Sequence, residues 1–246
     1  IQMGGSDQWG NITSGIDLVR RIEGKQAYAI TYPLVTKADG SKFGKSSDGA
    51  IWLDAEMTSP FSFFQFWINA ADSEVMNYLK IFTFSSKIEL EFLAKAHASN
   101  PGDRIAQVAL AREVTRLVHG ESGLEAAERI TAALFSNSLD ELDHDDLEQL
   151  AQDGMPSSES SSGALLVEIL VSSGLALTPK GEFTIGQARK LIKGGSIAVN
   201  GKKEMDVEAR LKAEDALFDR FFVIQKGKKN HHLVSLEKLS GRMKVS

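Results

Sequence analysis

At 246 residues the chain is long enough for two or three compact units with separate cores, and 42% of its residues are apolar. The absence of cysteine excludes disulfides, thiolate zinc sites and cysteine nucleophiles; this fits a reducing compartment, so a cytoplasmic location is expected. No run of about eighteen apolar residues occurs, and a soluble protein with no membrane partner is expected.

The net charge of −5 is unevenly spread: residues 184–246 carry 14 Lys and Arg against 7 Asp and Glu, leaving 14 against 26 in residues 1–183. A basic tail on an acidic body points to a polyanion touched through one module, nucleic acid first.

In chain order, Gly4-Gly5-Ser6-Asp7-Gln8-Trp9-Gly10-Asn11-Ile12 comes first. A glycine pair lets backbone approach a ligand closely, and an acid and an amide then open a helix. Such a turn ought to follow a buried strand, so a segment upstream of Ile1 is expected. Ile12, Ile16, Val19 and Ile22 recur at helical spacing, with Arg20, Arg21 and Lys25 at the end that suits cations; a helix over 13–23 is predicted, with Trp9 in the core. Residues 28–35 read as a short strand. Residues 38–49 are too polar and glycine-broken to pack, and within them Lys42-Phe43-Gly44-Lys45-Ser46 sets two lysines about a glycine. Ile51-Trp52-Leu53 then reads as the edge of an α/β domain.

Taken singly, the lysine loop is an ordinary solvated turn, and Asp7 and Gln8 an ordinary helix cap. Together the two segments read as a split nucleotide site. Adenylyl transfer needs positive charge on a departing pyrophosphate, applied in the transition state and withdrawn for release, which favours lysines on a moving loop.

From Ser59-Pro60 to about Leu150 the apolar spacing predicts four or five helices, punctuated by turns at 100–102 and 119–123. Residues 152–163 hold five serines and, apart from Met155, no large apolar side chain, so they are read as a linker unable to order itself. Helices are predicted over 164–173 and 185–193, then strand Ile197-Ala198-Val199 leading into the hairpin signal Asn200-Gly201, with later strands near 221–225 and 232–236. Ile185, Ala188, Leu191 and Ile192 occupy one face of the second helix and Arg189, Lys190 and Lys193 the other. With Lys202 and Lys203 they concentrate charge suited to structured RNA, and Lys226, Lys228 and Lys229 extend it.

The Gly4–Ile12 segment, followed some thirty residues later by Ala38-Asp39-Gly40-Ser41-Lys42-Phe43-Gly44-Lys45-Ser46, resembles the carboxyl half of the catalytic site of a bacterial-type tyrosyl-tRNA synthetase, a class I aminoacyl-tRNA synthetase. The phenylalanine-glycine form of the class signature Lys-Met-Ser-Lys-Ser belongs to that subfamily. Similarity continues through Thr58-Ser59-Pro60, Gln65-Phe66-Trp67-Ile68-Asn69, Val118-His119-Gly120 and residues 184–236, and is weakest over 137–183. The basic end resembles the small RNA-binding module named after the fourth small-subunit ribosomal protein.

The resemblance implies a multidomain α/β plus α plus α+β fold. Residues 1–55 would be the tail end of a Rossmann-like nucleotide-binding domain, 56–152 an α-helical anticodon-region domain, and 153–246 a linker plus the RNA-binding module, with its core at 184–246. It implies a tyrosine–tRNA ligase fragment whose full enzyme activates tyrosine with ATP and magnesium and transfers it to tRNA(Tyr), as a homodimer. Lys42 and Lys45 would stabilise the triphosphate and Ser46 would assist. Gly4, Gly5 and Asp7 would lie against the adenylate, Gln8 near the reacting carboxylate, and Gln2 on the strand bordering the tyrosine pocket. No His-x-Gly-His occurs among His97, His119, His144, His231 and His232, so this chain alone is expected to be inactive. No histidine is given a catalytic role and no metal site is read; His231 and His232 are expected at the surface or on the RNA side. Two rivals remain: a noncatalytic RNA-binding protein built on synthetase parts, and the tryptophan-specific relative.

Overall fold

The computed structural model describes residues 1–36, 45–46, 49–136, 138–227 and 230–237. Strand β1 (Gln2–Gly5) runs parallel to β2 (Ala29–Tyr32), in register from Gln2↔Ala29 to Gly5↔Tyr32, and α1 (Trp9–Glu23) is the crossover between them. A parallel pair requires such a crossover. Gly24 stops the helix at φ 63°, the left-handed conformation that glycine adopts without steric cost. The helix begins earlier than its apolar spacing predicts because the backbone already coils through a 3-10 turn at Ser6–Gln8. Trp9, expected in the core, is 57% exposed, and of the predicted apolar face only Ile12 is buried, Ile22 being 70% exposed. The described residues cover Ile12 and part of Ile16 but leave Val19 and Ile22 exposed.

The short strands β3 (Lys45–Ser46) and β4 (Gly49–Ala50) pair antiparallel. Ile51-Trp52-Leu53, expected at the edge of the α/β domain, is irregular, and Trp52 and Leu53 are exposed. The chain closes into a tight turn there: Met57 N and Thr58 N donate to Asp54 O, and Trp52 N donates to Thr58 Oγ1 at 3.1 Å.

The helical block follows. Helix α2 (Pro60–Ile68) starts on Ser59 with proline at its first position, α3 is Val75–Phe82, and α4 (Lys87–Ser99) opens on a reciprocal Ser86–Glu89 cap. Helix α5 spans Ile105–Ser136, and the turn expected at 119–123 is reduced to one non-helical residue, Gly120, at φ 74°. Phe63, Trp67, Tyr78, Leu79, Leu110 and Leu124 form its core. Helix α6 (His144–Gln149) runs into a wide π-type turn over Leu150–Gly154.

The serine-rich stretch is not a linker. It forms β5 (Ser157–Ser160), an edge strand of a five-stranded sheet. Next come β6 (Ala164–Leu165), α7 (Leu166–Ser172), α8 (Ile185–Lys193), β7 (Ile197–Val199), β8 (Lys202–Lys203), β9 (Arg210–Leu211), β10 (Phe221–Lys226) and β11 (Asn230–Leu236), and the sheet order is β5-β11-β10-β7-β8. β5 lies parallel to β11, with Leu233 N donating to Pro156 O and Glu237 N to Ser160 O. Those bonds are made by backbone, so a strand added to an existing edge orders itself without large side chains of its own.

β10 is buried on both faces. Phe222 and Ile224 point into the core beneath α7 and α8, while Phe221 and Val223 meet Phe61, Ile130, Leu147 and Leu150 of the helical block. The period-two alternation of a strand explains why all four apolar residues in a row are covered. The helical block and the carboxyl-terminal sheet therefore share a core.

His232, expected at the surface, is 5% exposed on β11, with Nε2 2.9 Å from Ser158 Oγ on β5. Burial lowers the imidazole pKa from its ordinary 6.5, as it does for His119. The folded ring stays neutral while the unfolded chain takes up a proton, so this stability is complete above about pH 6.5 and is lost as pH falls toward the folded-state value. Thermal unfolding should shift to lower temperature between about pH 7.5 and 5.5. His232→Gln should shrink that shift; an identical shift in the variant would remove His232 as a contributor.

Candidate nucleotide and RNA site

The amino-terminal site is built at the carboxyl end of β1, where the chain turns into α1. A Cβ on Gly5 would lie 2.7 Å from Leu34 Cδ2 and 2.8 Å from Asp7 Oδ1, and one on Gly4 would lie 3.0 Å from Ile12 Cδ1. Both glycines thus have a local reason for being small, independent of any ligand. No side-chain hydrogen bond caps α1 or the turn before it, so the ordinary helix-cap reading of Asp7 and Gln8 is not realised. Gln8 Oε1 instead accepts from Asn11 Nδ2 at 3.1 Å.

A cleft of ≈ 470 Å³ opens beside this turn, walled by Gln2, Gly4, Gln8, Asn11, Ile12 and Tyr28 among others. Gln2, Gly4 and Gln8 line it together, and Gly5 and Asp7 do not. Asn11, which the sequence reading passed over, joins them by presenting its amide one helical turn beyond Gln8. A polar pair over an apolar floor can orient a small zwitterion or a nucleoside by hydrogen bonds.

Of the loop residues, Lys42 and the side chains of Lys45 and Ser46 lie outside the described residues. The backbone of Lys45 and Ser46 forms β3, paired to Ala50 and Gly49.

At the other end Arg189, Lys190, Lys193, Lys202 and Lys203 are all exposed. Helix α8 is capped by Thr184 Oγ1 accepting from Gln187 N at 3.2 Å and buries Ala188 and Ile192 against the sheet, which turns its cations outward. Asn200 (φ 48°) and Gly201 (φ 76°) make the tight turn between β7 and β8 and place Lys202 and Lys203 on an edge strand. Arg189 is not wholly available to a polyanion, because its Nη2 lies 3.7 Å from Glu208 Oε1.

The family model for tRNA synthetases class I (W and Y) matches residues 1–136, which enclose both the Gly4–Ile12 and the Lys42–Ser46 segments. The chain belongs to that family.

A second model, the Tyrosine--tRNA ligase SYY-like C-terminal domain, matches residues 146–234 of this class I synthetase chain, so the resemblance to tyrosyl-tRNA synthetases is borne out at both ends. Over 234 residues, 95% of the chain, it is 51% identical to the Tyrosine--tRNA ligase of Pectobacterium carotovorum and 52% identical to that of Escherichia coli O139:H28. It spans about half the length of these curated relatives, 54% in each case. A crystal structure of a C-terminally truncated Aspergillus nidulans mitochondrial tyrosyl-tRNA synthetase overlaps 55% of this chain and 39% of that one, at 34% identity and a TM-score of 0.46. The two family matches together make the chain a class I synthetase catalytic region followed by a tyrosyl-tRNA synthetase carboxyl-terminal domain, and among the described residues no helix is long and apolar enough to cross a membrane.

Proposed function

We propose that the full-length protein is a cytoplasmic tyrosine–tRNA ligase acting as a homodimer, with this chain supplying the second half of its catalytic site and its RNA-binding end. The observation that carries the reading is the extent of the match: about half of all positions are identical to tyrosine–tRNA ligases across 95% of the chain. We divide it at 1–55, 56–152 and 153–246 into the end of the nucleotide-binding domain, the helical anticodon-region domain and the RNA-binding unit.

In this reading ATP enters with its magnesium as substrate. The tyrosine carboxylate attacks the α-phosphorus, the α–β bridging bond breaks, and pyrophosphate leaves with the electron pair. Lys42 and Lys45 neutralise the charge that gathers on the leaving group, with Ser46 assisting. Gly4, Gly5 and Asp7 hold the adenylate ribose, Gln8 orients the attacking carboxylate and Gln2 borders the tyrosine. A terminal ribose hydroxyl of tRNA(Tyr) then attacks the activated carbonyl and AMP departs.

Tyrosine-dependent ATP–pyrophosphate exchange by the full-length protein tests the proposal. Exchange that requires tyrosine supports it, exchange with tryptophan supports the relative of that specificity, and RNA binding without either supports the noncatalytic rival. The carboxyl-terminal domain match over 146–234 favours tyrosine over tryptophan.

For RNA, replacing Lys190 and Lys193 together by Glu should weaken tRNA binding and lower the slope of log K against log salt by about one per lost phosphate contact. Binding with an unchanged salt slope would remove α8 from the interface.

A further inference from the structure

The amino end of α2 takes its caps from the far side of the chain. Ser59 N donates to Asp153 Oδ2 at 2.9 Å, and Ser59 Oγ and Ser62 Oγ donate to Asp153 Oδ1 at 2.5 and 2.8 Å. Phe61 N donates to Gln149 Oε1 at 3.1 Å, and Gln152 Nε2 donates to Ala55 O at 3.0 Å. Ser62 N is held by Ser59 Oγ and Pro60 has no N–H, so every backbone donor from Ser59 to Ser62 is taken. Serine at the cap followed by proline already starts a helix well. The carboxylate of Asp153 adds something other than helix formation: it fixes where the helix begins.

That point matters because of what precedes it. Residues 51–58 are the short tight turn that leaves β4, closed by Trp52 N on Thr58 Oγ1, and Thr58 and Ser59 are buried at its foot. β4, which pairs with the backbone of Lys45 and Ser46, is thus tied to Ser59 through the eight residues 51–58. The turn that holds Ser59 is equally well grounded, since Leu150 and Met155 sit in the core shared by Phe61, Phe221, Val223 and Leu233.

We propose that Asp153 is a positioning residue for the adenylation reaction, acting through Ser59 to set where β4, the strand paired with the backbone of Lys45 and Ser46, leaves the helical block. The inference rests on the tyrosine–tRNA ligase reading. Electrostatic help to a leaving group depends on sub-ångström placement, and a displacement of about 1 Å at such a distance from the chemistry can cost on the order of a hundredfold in rate.

The test uses the full-length protein with Asp153→Ala and Asp153→Asn, assayed by tyrosine-dependent exchange at a temperature where circular dichroism shows each variant folded. Asp153→Ala should lower kcat about tenfold or more and leave the KM for tyrosine unchanged, while Asp153→Asn, which keeps an oxygen acceptor for Ser59, should recover most of the rate. If Asp153→Ala does not fold, Ser62→Ala removes one of the three donors and should lower kcat about twofold to threefold. A folded Asp153→Ala with the parent kcat overturns the proposal, as does a loss that Asn fails to recover, or an unchanged kcat in Ser62→Ala when that variant has to be used. Absence of tyrosine-dependent exchange in the parent protein is a different failure: it removes the ligase reading itself, whatever Asp153 does.

Discussion

In the full-length protein, Lys45→Ala is expected to lower the rate of tyrosine-dependent ATP–pyrophosphate exchange by about 100- to 1000-fold, with less than about a twofold change in the KM for tyrosine. The asymmetry follows from where the ammonium group acts in the proposed reaction. Pyrophosphate gains charge only as the bond to the α-phosphorus breaks, so a cation facing it stabilises the transition state more than the bound ground state. In the proposed reaction tyrosine sits elsewhere, and the cleft beside Gln2, Gln8 and Asn11 is the candidate place for it. Lys45→Arg keeps the charge but not the compact, strongly hydrated head, and should recover only part of the rate. Single-turnover formation of the adenylate is the deciding measurement, and a parent-like rate in Lys45→Ala would remove this lysine from the mechanism.

Arg129→Met should cost about 3–5 kcal/mol of folding stability. The Asp146 side chain is fully buried and accepts from Arg129 Nε at 2.7 Å, Arg129 Nη2 at 2.8 Å and Asp143 N at 3.1 Å. Arg129 Nη2 also reaches Asp143 Oδ2 at 3.0 Å, so one guanidinium joins α5 to the first turn of α6. Taking it away strands a carboxylate with a single backbone donor in a dry environment, a far worse state than having neither charge. The pair Arg129→Met and Asp146→Asn should therefore recover much of what the single change loses. Urea unfolding of the parent, single and double variants checks both statements. A loss below about 1 kcal/mol in the single variant would show that the carboxylate finds another partner.

The elements that the sequence announced are those with local punctuation. Helix α8 runs over the predicted residues because Thr184 caps it and Gly194-Gly195 follow it. The hairpin after Val199 was legible because Asn200 and Gly201 tolerate positive φ. β5 was not legible: its partner β11 lies more than seventy residues later, and a run of serines gives no hint of an edge it has yet to meet. His232 is hidden for a related reason: it sits on an inner strand, between β5 and β10, that the local sequence does not reveal. In the candidate site, Gly4, Gly5 and Gln8 stood out as a pattern, and Asn11 was available as the residue one turn on. Asp153 had no such signal, because it meets Ser59 across 94 positions and lies where composition spoke for a linker. Trp9 failed differently: its hydrophobicity asked for cover that no described residue provides.

β10 has no outer side. A sheet wedged between two oily compartments acts as a bulkhead, so the attitude of the cationic helix α8 toward the helical block is set by interlocking side chains and not by the length of any tether. In the proposed RNA complex, a load on α8 would pass through Phe221 and Phe61 to α2, the helix that follows β4.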